Sequence, residues 1–389
     1  MKTRFVALSA LLCCVAFLVF TNITLGEDGV APESILLGTT GNLKKSLTHP
    51  EETLGVKLYL KYINDLGGVH GRMVRFVEHD DQNNAEIRKK NLDRLIKDDK
   101  VFAIHVIGGT PASILTMQYA MKHKVLFTFP HQGSSALAGK RYIFTSYPFY
   151  DKENDIMMKY LVETRKFKRV GLIYADNAYG RIFLEGLKRN CKKYGLEVLT
   201  AEPLKDRNPK DVNSPLARLR DQKAQALIMA LYVKQAGIVL KERKNMGWDD
   251  VTLISTGPLT DEKFLSVGGG LGEGVIGLSL YPDPVRSKKP AMVEFRQILE
   301  KYYPGHGPNR YNFYGYLYTK LFVEGLKRAG KDLTRDSFIE AMESIKDWES
   351  GVIPPVSFSA SDHHAQESGY IVELKNGVFQ AMTDWIQVK

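Results

Sequence analysis

Several residues that can donate hydrogen bonds follow directly after runs of strand-type sequence. Gly109 and Thr110 come after the apolar run that starts at Phe102, and Gln132 and Ser134 come after the next such run. The carboxyl ends of parallel strands share one edge of a sheet, where open α/β sheets place their ligands. Amides and hydroxyls at that edge would suit a carboxylate. Taken alone, the stretch FAIHVIGGTPA at 102–112 fits an ordinary strand-to-helix turn equally well.

Tyrosines and a further glycine stand at corresponding positions later in the chain. Tyr179 lies shortly after a strand-type run, Tyr232 follows the run that ends at Leu231, and Gly257 follows the run 252–255. If two sheet edges face each other, tyrosines on one wall suit an apolar or planar ligand body. Each tyrosine could equally serve as plain packing between two lobes.

The motifs that would indicate catalysis or metal binding are incomplete. No serine stands in a Gly-x-Ser-x-Gly elbow. His363 and His364 lack the spaced histidines or cysteines of a metal site, so a solvated loop is predicted there. His105 lies mid-strand, which is typical of a core histidine. We therefore expect neither an enzyme nor a cofactor or metal.

The start of the chain indicates export. Lys2 and Arg4 precede an apolar run over 5–20, and small residues near Gly26 could be cut by a signal peptidase. This pattern predicts a signal peptide at residues 1–26 and a periplasmic or extracellular protein. The alternative is a retained anchor, but the run is shorter than the ~20 residues of a spanning helix. Cys191 would then be the single remaining cysteine, and its helical context predicts a buried thiol.

Length and composition indicate two or three ordered domains, because 44% of the 389 residues are hydrophobic and no tract has low complexity. The net charge of +10 favours anionic partners in general. The basic residues are nevertheless spread along amphipathic segments, so we expect no nucleic-acid binding.

The order of elements predicts an α/β fold. Strand-type runs alternate with helical patterns over 34–129, and the same alternation repeats over 152–255. Each set predicts right-handed βαβ units in a doubly wound parallel sheet. Three more helical patterns follow over 290–345, and the tail returns to strand-like alternation. The sequence thus predicts two similar lobes.

Several stretches, in this order and spacing, resemble the type I periplasmic solute-binding proteins of ABC transporters, in the leucine/isoleucine/valine-binding branch. They are ILLG at 35, INDLGGVHGR at 63, IGGTPAS at 107, VLFTFP at 125, RYIFTSYPFYDKEND at 141, VGLIYADNAYGR at 170 and GYLYTKLFVEGLKRAG at 315. The resemblance covers essentially the whole chain after the signal peptide.

The resemblance implies two lobes joined by three hinge crossings, near 146–149, 280–284 and 351–355. Lobe 1 would comprise 27–146 plus 282–351, and lobe 2 would comprise 147–281 plus 352–389. A ligand would bind in the cleft between them, held by Gly109, Thr110, Gln132, Gly133, Ser134, Tyr150, Tyr179, Tyr232 and Gly257.

The implied function is delivery of a small organic ligand to the membrane permease of an ABC transporter by a monomer that closes over it. Amino-acid binders of this family carry an acid in the loop that matches 256–259, where it pairs with the ligand's ammonium. This sequence has none there, and Asp261 stands at the following helix start. A carboxylate without an amine, including an aromatic one, is therefore an alternative to an amino acid. A ligand-sensing receptor subunit and a cleft enzyme are the alternative functions.

Overall fold

The computed structural model describes residues 26–388, with the side chains at 262 and 263 excepted. The predicted signal peptide therefore lies outside the described residues, apart from Gly26. Within the described range, no helix is both long and apolar enough to cross a membrane.

The first sheet is fully parallel and has five strands in the order β2-β1-β3-β4-β5. Its strands are β1 Ser34–Gly41, β2 Met73–Asp80, β3 Ala103–His105, β4 Leu126–Thr128 and β5 Ile143–Phe144. The helices between them are α1 His49–Asp65, α2 Ala85–Lys97 and α3 Thr110–His123. Strands β3, β4 and β5 are buried throughout, as expected for a sheet covered on both faces.

The second sheet has a parallel part, β7-β6-β8-β9-β10, extended by antiparallel β11 and β12, and β13 also pairs with β11. The strands are β6 Arg169–Ala175, β7 Glu197–Leu204, β8 Ala226–Ala230, β9 Thr252–Ser255, β10 Ile276–Ser279, β11 Ser368–Lys375, β12 Val378–Ala381 and β13 Ile386–Gln387. Its helices are α4 Tyr150–Glu163, α5 Ala178–Tyr194, α6 Asn213–Asp221, α7 Val233–Asn245 and α8 Glu262–Gly268.

Three later helices follow β10, namely α9 Pro290–Tyr302, α10 Arg310–Ala329 and α11 Arg335–Glu343. Helix α10 packs closely on α1 of the first sheet through two glycines. A Cβ placed on Gly55 would lie 1.9 Å from the carbonyl oxygen of Asn312, and one on Gly315 would lie 2.0 Å from that of Glu52. The two helix backbones therefore touch where both residues lack a side chain.

The predicted α/β class with two parallel-sheet lobes is confirmed, while the lobe boundaries remain a prediction. Within that division, residues 352–364 were predicted for lobe 2, but they contact elements of the first sheet. Phe358 packs edge-on against Phe144 of β5, and His363 stacks on the same ring with centroids 4.2 Å apart. The Thr145 amide also donates to the His363 carbonyl at 2.9 Å.

Candidate functional site

One wall of the candidate site is built where α3 and the loop after β4 meet the start of α4. Thr110 is the first residue of α3 and is 1% exposed. Its hydroxyl is hydrogen-bonded to that of Tyr150 at 2.8 Å. The Tyr150 ring lies over Gly133, where a Cβ would meet a ring carbon at 2.7 Å. The structure thus brings three of the predicted site residues together.

Gln132 in the same loop carries a donor without a partner. Its Oε1 accepts the Ser134 N–H at 2.5 Å, which fixes the orientation of the amide because an N–H needs an oxygen acceptor. Its Nε2 is buried and has no hydrogen-bond partner within residues 26–388. A buried donor of this kind is costly unless something accepts from it.

Two other predicted residues form hydrogen bonds within the loops of this wall. The Gly109 N–H donates to the carbonyl of His131 at 3.2 Å, and the Ser134 hydroxyl accepts the Ala136 N–H at 3.3 Å. Gly109 has φ +87°, which favours glycine, and it precedes the first turn of α3. Gly109 and Ser134 therefore shape the loops, whereas Thr110 and Gln132 carry the side-chain polar groups of this wall.

The tyrosines form a chain that runs from the first wall into the second lobe. Ring centroids are 5.2 Å apart between Tyr150 and Tyr179, and 5.6 Å apart between Tyr179 and Tyr232. The Tyr179 hydroxyl bonds that of Thr256 at 2.8 Å, and the Tyr232 hydroxyl accepts from Asn177 at 3.3 Å. Burial raises the pKa of Tyr179 well above its usual value, so it stays a neutral hydroxyl.

Gly257, the last predicted residue, meets an acid that the sequence did not predict for the site. Its N–H donates to Oε1 of Glu153 at 2.7 Å, and the Tyr147 hydroxyl donates to Oε2 at 3.3 Å. Glu153 stands in the first turn of α4 and is fully buried. Burial raises its pKa to about 7, although these two hydrogen bonds lower it. Tyr147 packs so closely on Gly257 that a Cβ there would meet its hydroxyl at 2.2 Å.

A second buried glutamate, Glu52, lies behind the first wall, and its pKa is lowered where that of Glu153 is raised. Glu52 on α1 is bonded to Nδ1 of His131 at 2.7 Å and to Nδ1 of His49 at 3.4 Å. Burial raises its pKa, but the two histidines more than offset this effect and hold the pKa at about 2. His131 also stacks on Tyr314 at 4.0 Å, so the loop that carries Gln132 is held firmly.

Arg207 spans the exposed mouth of the cleft. Its guanidinium lies 4.6 Å from the centroid of the Tyr232 ring, and its Nη2 donates to Oδ1 of Asn83 at 3.4 Å. Asn83 follows β2 of the first sheet, whereas Arg207 follows β7 of the second. This contact therefore bridges the two sheets across the cleft.

Of two cavities in the described part of the chain, one lies beside the site and the other lies far from it. A cavity of about 20 Å³, room for about one water, is lined by residues that include His131, Tyr147, Gly257 and Tyr281. A larger, open cavity of about 530 Å³ is lined by residues at the amino ends of β6 and β9. Parallel sheets bind ligands at the carboxyl ends of their strands, so we assign the larger cavity no part in the site.

The histidines singled out in the sequence lie away from the cleft groups. His105 is a core residue as predicted, bonded to Thr128 at 2.8 Å and Thr319 at 3.0 Å, and burial lowers its pKa to about 3. The solvated loop predicted for His363 and His364 is wrong, because both are at least nine-tenths buried. Aromatic stacking explains this, since His364 lies against Phe149 with centroids 4.1 Å apart.

Sequence reasoning missed Tyr147 and Glu153 as members of the site. For Glu153 a signal was present, since Tyr150, Glu153, Asn154, Met157 and Leu161 recur at helical spacing and form the buried face of α4. An acid within an otherwise buried stripe is unusual enough to mark it.

Comparison with known proteins places this geometry in context. A family model described as "Periplasmic binding protein" matches residues 36–378. The chain is 23% identical over 323 residues to Leu/Ile/Val-binding protein homolog 8 of Brucella abortus, covering 77% of each protein. It is 21% identical over 271 residues to an amino acid binding protein of Pseudomonas aeruginosa, covering 69% of this chain and 71% of the relative.

Solved structures share the fold over nearly the whole chain. A fatty acid ABC transporter substrate-binding protein from Thermomonospora curvata superposes with a TM-score of 0.84 at 23% identity, over 94% of this chain and 95% of that one. A branched-chain amino acid ABC transporter protein from Thermus thermophilus with bound valine gives 0.83 at 18% identity, over 94% and 98%. One architecture therefore serves ligands as different as a fatty acid and valine in these proteins.

Proposed function

The chain belongs to the periplasmic binding protein family, and on that premise we propose that it captures a small organic carboxylate in the cleft between its two sheets and delivers it to an ABC permease. It acts outside the cytoplasm, after removal of the signal peptide, as a monomer without a cofactor. The relatives named above are binding and substrate-binding proteins, which supports binding over catalysis or sensing.

The observation that carries the carboxylate assignment is the unpartnered amide of Gln132. Its Nε2 is buried in the loop beside Thr110, whose hydroxyl can also donate. Thr110 opens α3, and the positive end of a helix dipole favours a negative charge there. A ligand carboxylate would accept from both side chains and satisfy the buried donor.

The tyrosine chain supports an apolar or planar ligand body. The rings of Tyr150, Tyr179 and Tyr232 pack against one another in succession at tilted angles, with the hydroxyl of Tyr179 already bonded to Thr256. Rings whose hydroxyls are satisfied offer mainly apolar surface to a ligand. Amino acids and des-amino carboxylates with apolar or aromatic side chains both fit this wall.

Cleft closure follows from contacts that need both lobes. The Arg207–Asn83 contact joins a residue that follows β7 of the second sheet to one that follows β2 of the first. A ligand that touches Gln132 on one side and Tyr179 on the other gains its full affinity only when the lobes meet, so it shifts the population towards the closed form. A permease would then recognise that form.

The test is isothermal titration of phenylpropionate, 4-methylpentanoate and their amino-acid counterparts into the wild-type protein and two variants. Thr110→Val removes one donor, and Gln132→Glu replaces the free N–H₂ with an oxygen that repels a carboxylate. Each lost bond to a charged group costs about 1.5–3 kcal/mol, so affinity should fall by about 10-fold or more.

The matched control is Thr116→Val on the same helix, since the hydroxyl of Thr116 bonds the Ala112 carbonyl within α3 and not the cleft. Unchanged affinity in both Thr110→Val and Gln132→Glu would refute the carboxylate site. Recovery of the bound compound chemically altered after prolonged incubation would instead favour a cleft enzyme.

A further inference from the structure

Glu153 is a buried acid whose two oxygens meet neutral donors alone among the described residues. We propose that Glu153 is a specificity residue that accepts a protonated nitrogen of the ligand, so that the solute carries a cationic group as well as a carboxylate. This inference rests on the proposed function and concerns the same cleft. The acid that pairs with the ligand nitrogen would then lie in the first turn of α4, and not in the loop after β9.

The position of Glu153 supports this role. Its Oε1 accepts the Gly257 N–H at 2.7 Å, so the carboxylate lies against the loop 256–259. That loop also carries Thr256, which bonds Tyr179 of the tyrosine chain at 2.8 Å. Two hydrogen bonds, joined through the backbone of the loop 256–259, therefore link the Glu153 carboxylate to Tyr179 of the tyrosine chain.

The charges around Glu153 leave it uncompensated. The titratable side chains that face it are tyrosines, namely Tyr147 and Tyr150 beside it and Tyr179 on α5, and burial raises the pKa of each. His131 lies beyond Tyr147, with ring centroids 5.4 Å apart, and is bonded to Glu52 instead. Removing an ionised carboxylate from water without a cation costs several kcal/mol. A ligand ammonium would supply the missing charge.

Burial explains how the site can also exist without that cation. The pKa of Glu153 is raised to about 7, so the acid takes up a proton near neutral pH when nothing positive faces it. A protonated ligand nitrogen would favour the ionised form and release this proton. Binding of an amine should therefore strengthen as the pH rises towards 7, whereas binding of a ligand without an amine should not.

A purely structural role makes a different prediction. Glu153 could simply tie α4 to the loop 256–259, and an acid in a first helical turn is also favoured by the helix dipole. Replacement would then weaken all ligands alike by disturbing the wall. Ligand pairs that differ in the amine alone separate the two roles.

The experiment measures binding of two matched pairs, phenylalanine with 3-phenylpropionate and leucine with 4-methylpentanoate, to the wild-type protein and to Glu153→Gln. The amide side chain keeps the size of the acid and can still accept from Gly257. We expect affinity for the amine member of a pair to fall at least 10-fold, with the des-amino member unchanged or tighter. The pH dependence of amine binding between about pH 5.5 and about pH 7.5 should disappear in the variant.

Glu163→Gln, an exposed acid at the end of the same helix, is the control and should bind like the wild type. Equal losses for both members of a pair, or a wild type that binds the des-amino member as tightly as the amine, would overturn the proposal while leaving the carboxylate site intact. If none of the four compounds binds to the wild type, the carboxylate site and the Glu153 assignment are refuted together. If Glu153→Gln fails to fold, the pH dependence of ligand binding by the wild type tests the proposal instead. A wild-type affinity for the amine ligands that stays flat, or falls, as the pH rises would also overturn the role of Glu153.

Discussion

Replacing Glu153 by glutamine should stabilise the protein at alkaline pH and have little effect at acidic pH. In the folded chain the pKa of Glu153 is raised from its ordinary value of 4.5 to about 7 by burial. Between these values the unfolded chain is ionised while the folded chain holds the proton. The folded state is therefore progressively disfavoured as the pH rises from about 4.5 through about 7.

The size of the effect follows from the same two values. Each pKa unit corresponds to about 1.4 kcal/mol, so ionisation of Glu153 costs the folded state up to about 3 kcal/mol above pH 7. Glutamine cannot ionise and escapes this cost. The free energy of unfolding of Glu153→Gln, relative to wild type, should thus rise by up to about 3 kcal/mol between pH 4 and pH 8.

Urea unfolding at a series of pH values measures this difference directly, with tryptophan fluorescence as the probe, to which the buried Trp248 contributes together with Trp348 and Trp385. Glu163→Gln serves as control, because an exposed acid should give the same difference at every pH. A difference between Glu153→Gln and wild type that stays constant with pH, or that shrinks as the pH rises, would contradict the reasoning from burial.

Two further stability effects are expected. Glu52→Gln should show the opposite trend, because the histidines hold the pKa of Glu52 at about 2. The variant should lose up to about 3 kcal/mol of unfolding free energy above pH 4.5, and this loss should fade as the pH drops towards 2. A loss that persists at pH 2 would count against the ion pairs as its cause. Gly55→Ala should lower the unfolding free energy by about 1–3 kcal/mol, since its Cβ would lie 1.9 Å from a backbone carbonyl. Gly307→Ala, where no atom lies within 4 Å of the new Cβ, should leave thermal stability nearly unchanged, and a similar loss in both variants would argue against the close contact.

The fold was largely predictable from the sequence because its signals are local. The helical spacing over 51–65 predicted α1, observed as His49–Asp65, and the run around FAIHVIGGTPA predicted β3 and the turn into α3. The family resemblance, drawn from motifs spread over the chain, is confirmed by the match over 36–378 and by relatives named for leucine, isoleucine and valine binding. The alternation of strands and helices depends on residues close together along the chain, so it can be detected in the sequence.

The candidate site was predictable only in part, because its chemistry depends on contacts between distant residues. Strand ends located Thr110, Gln132 and the tyrosines. No local pattern could show that Glu153 would bond the amide of Gly257, 104 positions later. The same holds for His363, whose burial comes from stacking on Phe144. Such pairings are decided by tertiary packing.

The contact between α1 and α10 also restricts how this chain can diverge. Gly55 and Gly315 face each other's helix backbones, so a side chain at either position must push the helices apart whatever residue stands at the other. Glu52 lies on the same turn of α1, and its histidine partners anchor the loop that bears Gln132. In descendants of this gene, we expect the two glycines to persist as a pair, while the tyrosines opposite the cleft change with the solute. A measurement of mutational tolerance across the chain should show that Gly55 and Gly315 accept few substitutions, whereas the cleft tyrosines accept many.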